Sequence, residues 1–178
     1  MKYLLSFLAV LFLTSPSFAQ EVKTLSVGSE IPFIEAVDQN NQPQALETLI
    51  GDNGTVLVFY RSVDWCPFCQ KQLKKLSKQH NAFAEKGYTL VGISYDSVAS
   101  LKRFDTKHNL GYSLLSDKDS KIIKSFGLLN DTVSEGSKAY GTPHPAIYVV
   151  NSDGEVKAIL QEKGFKKRPK IEDILNAL

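Results

Sequence analysis

Thr55-Val56-Leu57-Val58-Phe59-Tyr60, then Arg61-Ser62-Val63-Asp64, then Trp65-Cys66-Pro67-Phe68-Cys69 is the stretch that decides the fold. A short run of β-branched, aliphatic and aromatic residues reads as a strand buried on both faces. Beyond the cysteines, Leu73, Leu76, His80, Phe83 and Ala84 recur at three- and four-residue intervals among Lys, Gln and Glu. That spacing predicts one amphipathic helix, stopped by Gly87. The two cysteines of the chain therefore stand where a buried strand hands over to a helix N-terminus. Unpaired amides of a first helical turn stabilise an anion, and Pro67 suits that turn because its missing N–H has no helical partner there. Cys66 is expected to ionise more readily than a free thiol, whose pKa is about 8.5. The expectation is a solvent-accessible, easily deprotonated sulfur that bonds reversibly with its near neighbour.

Three readings compete for the pair. As a structural staple the bridge is weak, since closing so short a loop gives only about 2 kcal/mol in the chain-entropy model. Zinc needs about four ligands, and His80, His108 and His144 do not follow the cysteines at finger-like spacing. No metal or other cofactor is expected. Reversible redox chemistry is the preferred reading.

Met1-Lys2, the apolar run Tyr3 to Leu13 and the small residues Ser17 and Ala19 read as an export signal over residues 1–19, cut ahead of Gln20. The run is too short for the roughly 20 residues of a spanning helix, so no stable membrane span is expected. A periplasmic or secreted location would hold a bare dithiol oxidised, and a reductive role there requires an external electron donor. Residues 20–178 read as one domain. With 21 basic and 19 acidic residues, no charge excess points to nucleic acid. The cluster Lys163-Gly164-Phe165-Lys166-Lys167-Arg168 reads as a solvated loop.

Strands and helices alternate along this domain. Thr89 to Tyr95 predicts a second buried strand, Val98 to His108 and Ser120 to Phe126 helices, and Ser113 to Leu115 a short strand. Ala146 to Val150 and Glu155 to Leu160 flank the turn Asn151-Ser152-Asp153-Gly154 and form a hairpin, and Ile171 to Leu178 closes as a short helix. The expected fold class is an α/β sandwich, a central mixed sheet of about four or five strands flanked by helices, with an N-terminal extension from Gln20 to Asn53.

Val27-Gly28 with Ile31-Pro32, Val58 to Arg61 leading into Trp65 to Cys69, Ser116-Asp117 with Phe126-Gly127, and Pro145 to Gly154 occur in the order found in thioredoxin-fold redoxins. The chain resembles the alkyl hydroperoxide reductase and thiol-specific antioxidant group, and thiol-disulfide oxidoreductases of the same fold. That likeness implies a thioredoxin-like sandwich and a cis-proline facing the cysteines, for which His144-Pro145 is the candidate. The segment 142–145 would then be an edge whose backbone pairs with an incoming peptide, and His144 a group that tunes the thiolate or shuttles a proton.

Two chemistries follow from the likeness. In thiol-disulfide exchange, the first choice, Cys66 attacks a substrate disulfide and Cys69 resolves the mixed disulfide. In the alternative, a thiol peroxidase, a thiolate attacks a hydroperoxide and becomes a sulfenic acid that the other cysteine condenses into a disulfide. The peroxiredoxin signature Pro-x-x-x-Thr-x-x-Cys places Cys66 at the threonine and Cys69 at the attacking cysteine, but its proline is missing near Arg61 and Ser62, and its later peroxide-binding arginine is replaced around Pro145. Arg61 is a candidate substitute cation. Trp65 and Phe68 are expected to flank the sulfurs, either as an apolar docking surface or, for Trp65, as packing against the domain edge. The implied partners are protein or small-molecule disulfides and thiols, and hydroperoxides in the alternative. A third reading is a non-enzymatic partner-binding domain with an inert bridge. The polar stretch from Leu128 to Gly141 reads as a loop beside Pro145.

Overall fold

The structure, a computed structural model, describes residues 25–164 and 166–178, so the expected export signal lies outside the described residues. The strand at the heart of the sequence argument is β3 (Gly54–Phe59), buried at every position. It is central because both its edges are used: β4 (Tyr88–Ser94) pairs with it in parallel and β6 (Ala146–Asn151) antiparallel. Successive side chains of β3 point to opposite faces. Val56 and Val58 join Leu73, Leu76, Phe83, Leu101 and Phe104 in one core. Leu57 and Phe59 join Ile93, Ile123, Phe126 and Tyr148 in the other. Phe126 sits 4.7 Å from Phe59 and 5.3 Å from Tyr148, ring centre to ring centre.

The sheet has seven strands rather than four or five. The extra two come from the N-terminal extension: β1 (Glu35–Asp38) pairs antiparallel with β2 (Pro43–Ala45) and with β5 (Ser113–Ser116). Both are short and half-exposed, which weakens the alternation that reveals a strand in sequence. The order is β2-β1-β5-β4-β3-β6-β7, with β7 (Val156–Leu160) closing the hairpin predicted around Asn151 to Gly154. The Asn151 side-chain oxygen accepts the N–H groups of Asp153 at 3.0 Å and Glu155 at 2.8 Å, and Gly154 takes φ +82°. This is the Asx-turn chemistry that such a quartet favours.

After α1 (Leu46–Leu49), the helices are α2 (Pro67–Ser77), α3 (His80–Ala84), α4 (Val98–His108), α5 (Lys121–Ser125) and α6 (Ile171–Asn176). The single helix expected after the cysteines is two: Gln79 leaves helical geometry at φ −111°, ψ 10°, and its N–H turns back to the Leu76 carbonyl at 3.0 Å. The break still buries Phe83 in the same core as Leu73 and Leu76, so one hydrophobic spacing serves two helices. Helix α4 matches its predicted bounds, capped by the Ser97 hydroxyl, which accepts the Ser100 N–H at 3.3 Å. No helix among the described residues is long and apolar enough to cross a membrane.

Candidate active site

Cys66 is the N-cap of α2 and Pro67 its first residue, so the cysteines occupy the helix start read from the sequence. Extended backbone at Cys66 aims its sulfur along the first turn, where Sγ accepts the Cys69 N–H at 3.3 Å. The two sulfurs are joined as a disulfide, with Cα atoms 5.3 Å apart. Both are buried: Cys66 is 2% exposed and Cys69 0%. The expected solvent-accessible sulfur is therefore not found in the oxidised form, because neighbouring side chains close over the bridge and the cysteines belong to the α2-side core.

One of those covering groups is Arg168. Its Nη2 lies 3.4 Å from Cys69 Sγ, while Nε donates to Gln72 Oε1 at 2.9 Å and Nη1 to the Lys167 carbonyl at 2.6 Å. The basic cluster at 163–168 is thus a solvated loop only in part, since its last member folds back, half-buried, onto the sulfur. Burial first, and then the like charge of Arg61, pull the Arg168 guanidinium below its usual pKa. Arg61 itself stacks over the Trp65 ring at 4.6 Å, and burial lowers it too.

Trp65 takes the packing alternative: it rests against the core, and its indole N–H donates to the Tyr95 hydroxyl at 2.9 Å. Tyr95 in turn donates to the Lys138 carbonyl at 2.7 Å, tying the 128–141 loop to the motif. Phe68, by contrast, is 40% exposed. A 420 Å³ cavity brings Arg61, His144 and Pro145 together with Asn130, Thr132 and Gln161. His144 Nε2 faces Asp131 Oδ1 at 3.3 Å rather than a sulfur.

The expected cis bond at His144-Pro145 is absent: no peptide bond among the described residues is cis. Nor is 142–145 an open edge. The His144 N–H donates to the Leu128 carbonyl at 2.7 Å, the Asn130 N–H donates to that of Thr142 at 2.9 Å, and Leu129 bridges Pro143. The chain's own preceding loop fills the pairing positions reserved in the sequence reading for a peptide, and an extended trans backbone suits that bridge.

Asp96 escaped the sequence reading. Its carboxylate accepts from the Ser62 hydroxyl at 2.7 Å, the Val63 N–H at 2.8 Å and the Ser94 hydroxyl at 2.9 Å. It thereby fixes the loop that delivers Trp65 to Cys69, and burial raises its pKa despite those bonds. Asp64 anchors the same loop to α4 through Ser100 at 2.7 Å and Arg103 at 3.0 Å. A lone Asp after a strand carries no sequence signal for such a clamp, whereas Arg168 was visible only as one of several loop cations.

A thioredoxin-like mixed sheet with a cysteine pair bridged at a helix start defines a thiol-based oxidoreductase. The chain belongs to the AhpC/TSA family, whose model matches residues 27–159. It is 31% identical over 152 residues to a chloroplastic peroxiredoxin Q of Sedum lineare, covering 85% of this chain and 76% of that one. Peroxidoxin BcpB from Mycobacterium tuberculosis superposes with a TM-score of 0.70 at 26% identity, over 80% of this chain and 89% of that chain. A peroxiredoxin-like protein from Aquifex aeolicus shares the fold with a TM-score of 0.73 at 19% identity, over 86% of each chain.

Proposed function

We propose that the protein is a thiol-dependent peroxidase in which Cys69 attacks and Cys66 resolves, with the resulting disulfide discharged by thiol exchange. The observation that carries this reading is the Arg168 guanidinium 3.4 Å from Cys69 Sγ. It supplies a cation at the cysteine that the family signature aligns with attack, and a cation so placed favours thiolate over thiol. The kinship with peroxiredoxins supports the choice of a hydroperoxide as oxidant.

The Cys69 thiolate attacks the terminal oxygen of ROOH. The O–O bond breaks, RO⁻ leaves and takes a proton from water, and Cys69 becomes a sulfenic acid. The Cys66 thiolate then attacks that sulfur, expelling hydroxide, which takes a proton, and the S–S bond forms. Two external thiols return the pair to the dithiol and leave as their own disulfide. Cys66 is suited to the resolving and leaving roles, because the first turn of α2 stabilises its thiolate through the Cys69 N–H. Arg61, His144 and Pro145 line the 420 Å³ cavity, where Arg61 orients a peroxide or partner thiol.

We further propose export to a periplasmic or extracellular space, supported by the composition of residues 1–19, with 20–178 as the working domain. N-terminal sequencing of the protein from an expressing bacterium should begin at Gln20, and an intact Met1 start would refute export.

Rapid mixing with hydrogen peroxide tests the chemistry. Reduced wild type should be consumed far faster than a model dithiol, and Cys66→Ser should retain the first turnover and accumulate a dimedone-reactive sulfenic acid at Cys69. If Cys69→Ser keeps the peroxide reaction and Cys66→Ser loses it, the roles are reversed. If neither reacts with peroxide while insulin disulfides are still reduced through Cys66, the protein is a thiol-disulfide oxidoreductase of the exchange kind.

A further inference from the structure

On the outer side of Arg168 lies a second cavity of about 410 Å³, with Lys71, Lys75, Lys166 and Lys170 around it, an apolar wall of Phe68, Pro169, Ile171 and Ile174, and Glu172 as its acid. Five cations against one carboxylate meet there, in a chain with 21 basic and 19 acidic residues altogether, so the rest of the chain carries two more acids than bases. The positive charge is local to this groove. Lys71, Lys75 and Lys170 are exposed and make no ion pair among the described residues. Arg168 is the shared wall, with the groove on one side and Cys69 Sγ at 3.4 Å on the other.

We propose that this groove admits a carboxylate-bearing low-molecular-weight thiol, which reduces the Cys66–Cys69 disulfide by attack at Cys69. The inference rests on the redox reading of the pair and names its reductant. The volume lies in the range of small-molecule sites, about 300–1,000 Å³, and is too small to seat a folded partner. Charge complementarity selects an anion, and the apolar wall accommodates its carbon skeleton. Because Cys69 is fully covered in the oxidised form, a carboxylate that draws the Arg168 guanidinium toward the groove also brings the sulfur into reach.

The donor thiolate attacks Cys69 Sγ. The S–S bond to Cys66 breaks, Cys66 leaves as a thiolate at the α2 N-cap, and a mixed disulfide forms on Cys69. A second donor thiolate attacks the donor sulfur of that mixed disulfide, releasing the donor's own disulfide and the Cys69 thiolate, so two thiols are oxidised for one protein bridge reduced. A stable Cys66 thiolate makes this direction of attack fast, since a thiol of lower pKa leaves faster.

Stopped-flow reduction of the oxidised protein, followed by fluorescence of its one tryptophan, tests this with mercaptosuccinate, 2-mercaptoethanol and cysteamine compared at equal thiolate concentration. The donor with two carboxylates should react about tenfold faster than the one with an uncharged skeleton at low salt, within the range that electrostatic focusing gives, and the ammonium-bearing donor slower still. The spread should collapse near 1 M salt, where the Debye length is about 3 Å. Lys71→Gln/Lys170→Gln should bring the anion-to-neutral ratio toward one, while Lys118→Gln/Lys121→Gln, on a different cavity, should leave it. Equal rates for all three donors, or a ratio indifferent to Lys71→Gln/Lys170→Gln, would overturn the groove while leaving the redox pair intact. Failure of every donor to reduce the bridge would overturn both.

Discussion

Replacing Arg168 by Gln removes a charge 3.4 Å from Cys69 Sγ with little change of volume. Two unit charges about 4 Å apart interact by about 1 kcal/mol in water and about 4 kcal/mol at the effective dielectric near a protein surface. Arg168 is half-buried, so its effect on a Cys69 thiolate falls between these limits. At about 1.4 kcal/mol per pKa unit, the Cys69 thiol should rise by about one to three units. For each unit above the working pH the thiolate fraction falls tenfold, but intrinsic nucleophilicity grows with a Brønsted slope of about 0.4–0.5, so the net rate falls about threefold to fourfold. The assay is a titration of thiolate absorbance and of iodoacetamide reactivity in the Cys66→Ser background, where Cys69 is the only cysteine left of two. Arg168→Lys should recover part of the shift. An Arg168→Gln midpoint equal to that of the parent would refute the assignment of Arg168 as the cation that activates this sulfur, whatever happened to overall activity.

Asp96 supplies a pH signature: burial lifts its carboxyl above the ordinary range, so its contribution to stability is complete below the unfolded value of about 3.9 and is lost as pH rises through the native one. Asp96→Asn should flatten the fall of the urea midpoint across that window, with a residual slope from Asp117, raised by burial as well, and an unchanged slope would refute the assignment. Asp96→Ala orphans the groups it binds at Ser62, Val63 and Ser94 and should cost about 1–3 kcal/mol at neutral pH, read by urea denaturation. Phe126→Ala empties the site between Phe59 and Tyr148 and should cost about 3–5 kcal/mol with no direct effect on thiol titration, so a loss under 1 kcal/mol would show the core to be loosely packed there. Gly54→Ala places a Cβ 2.0 Å from the Val150 carbonyl at a backbone φ of +142°, and soluble protein with a native urea midpoint would contradict the tight β3–β6 pairing.

Much that depends on neighbours in the chain was legible before any coordinates, although the short helix α1 and the break at Gln79 were not. Cys66 at the helix start and Pro67 after it follow from local helix chemistry, β3 from an unbroken apolar run, and α4 from its spacing. The edge strands β1 and β2 were not legible, because a few half-exposed residues gain their strand identity from pairing with β5 rather than from their own pattern. The closed state of the 142–145 edge likewise depends on its bridge to Leu128 to Asn130. Reactivity divides the same way. The sequence set a dithiol at a helix start, a local electrostatic fact, whereas burial of both sulfurs and the choice of cation beside them were decided by the tertiary structure. Arg168 lies 99 residues from Cys69 along the chain, and no periodicity links positions so far apart. Only the return of the chain after β7 toward α2 sets that guanidinium against the sulfur and leaves Arg61 to stack on Trp65.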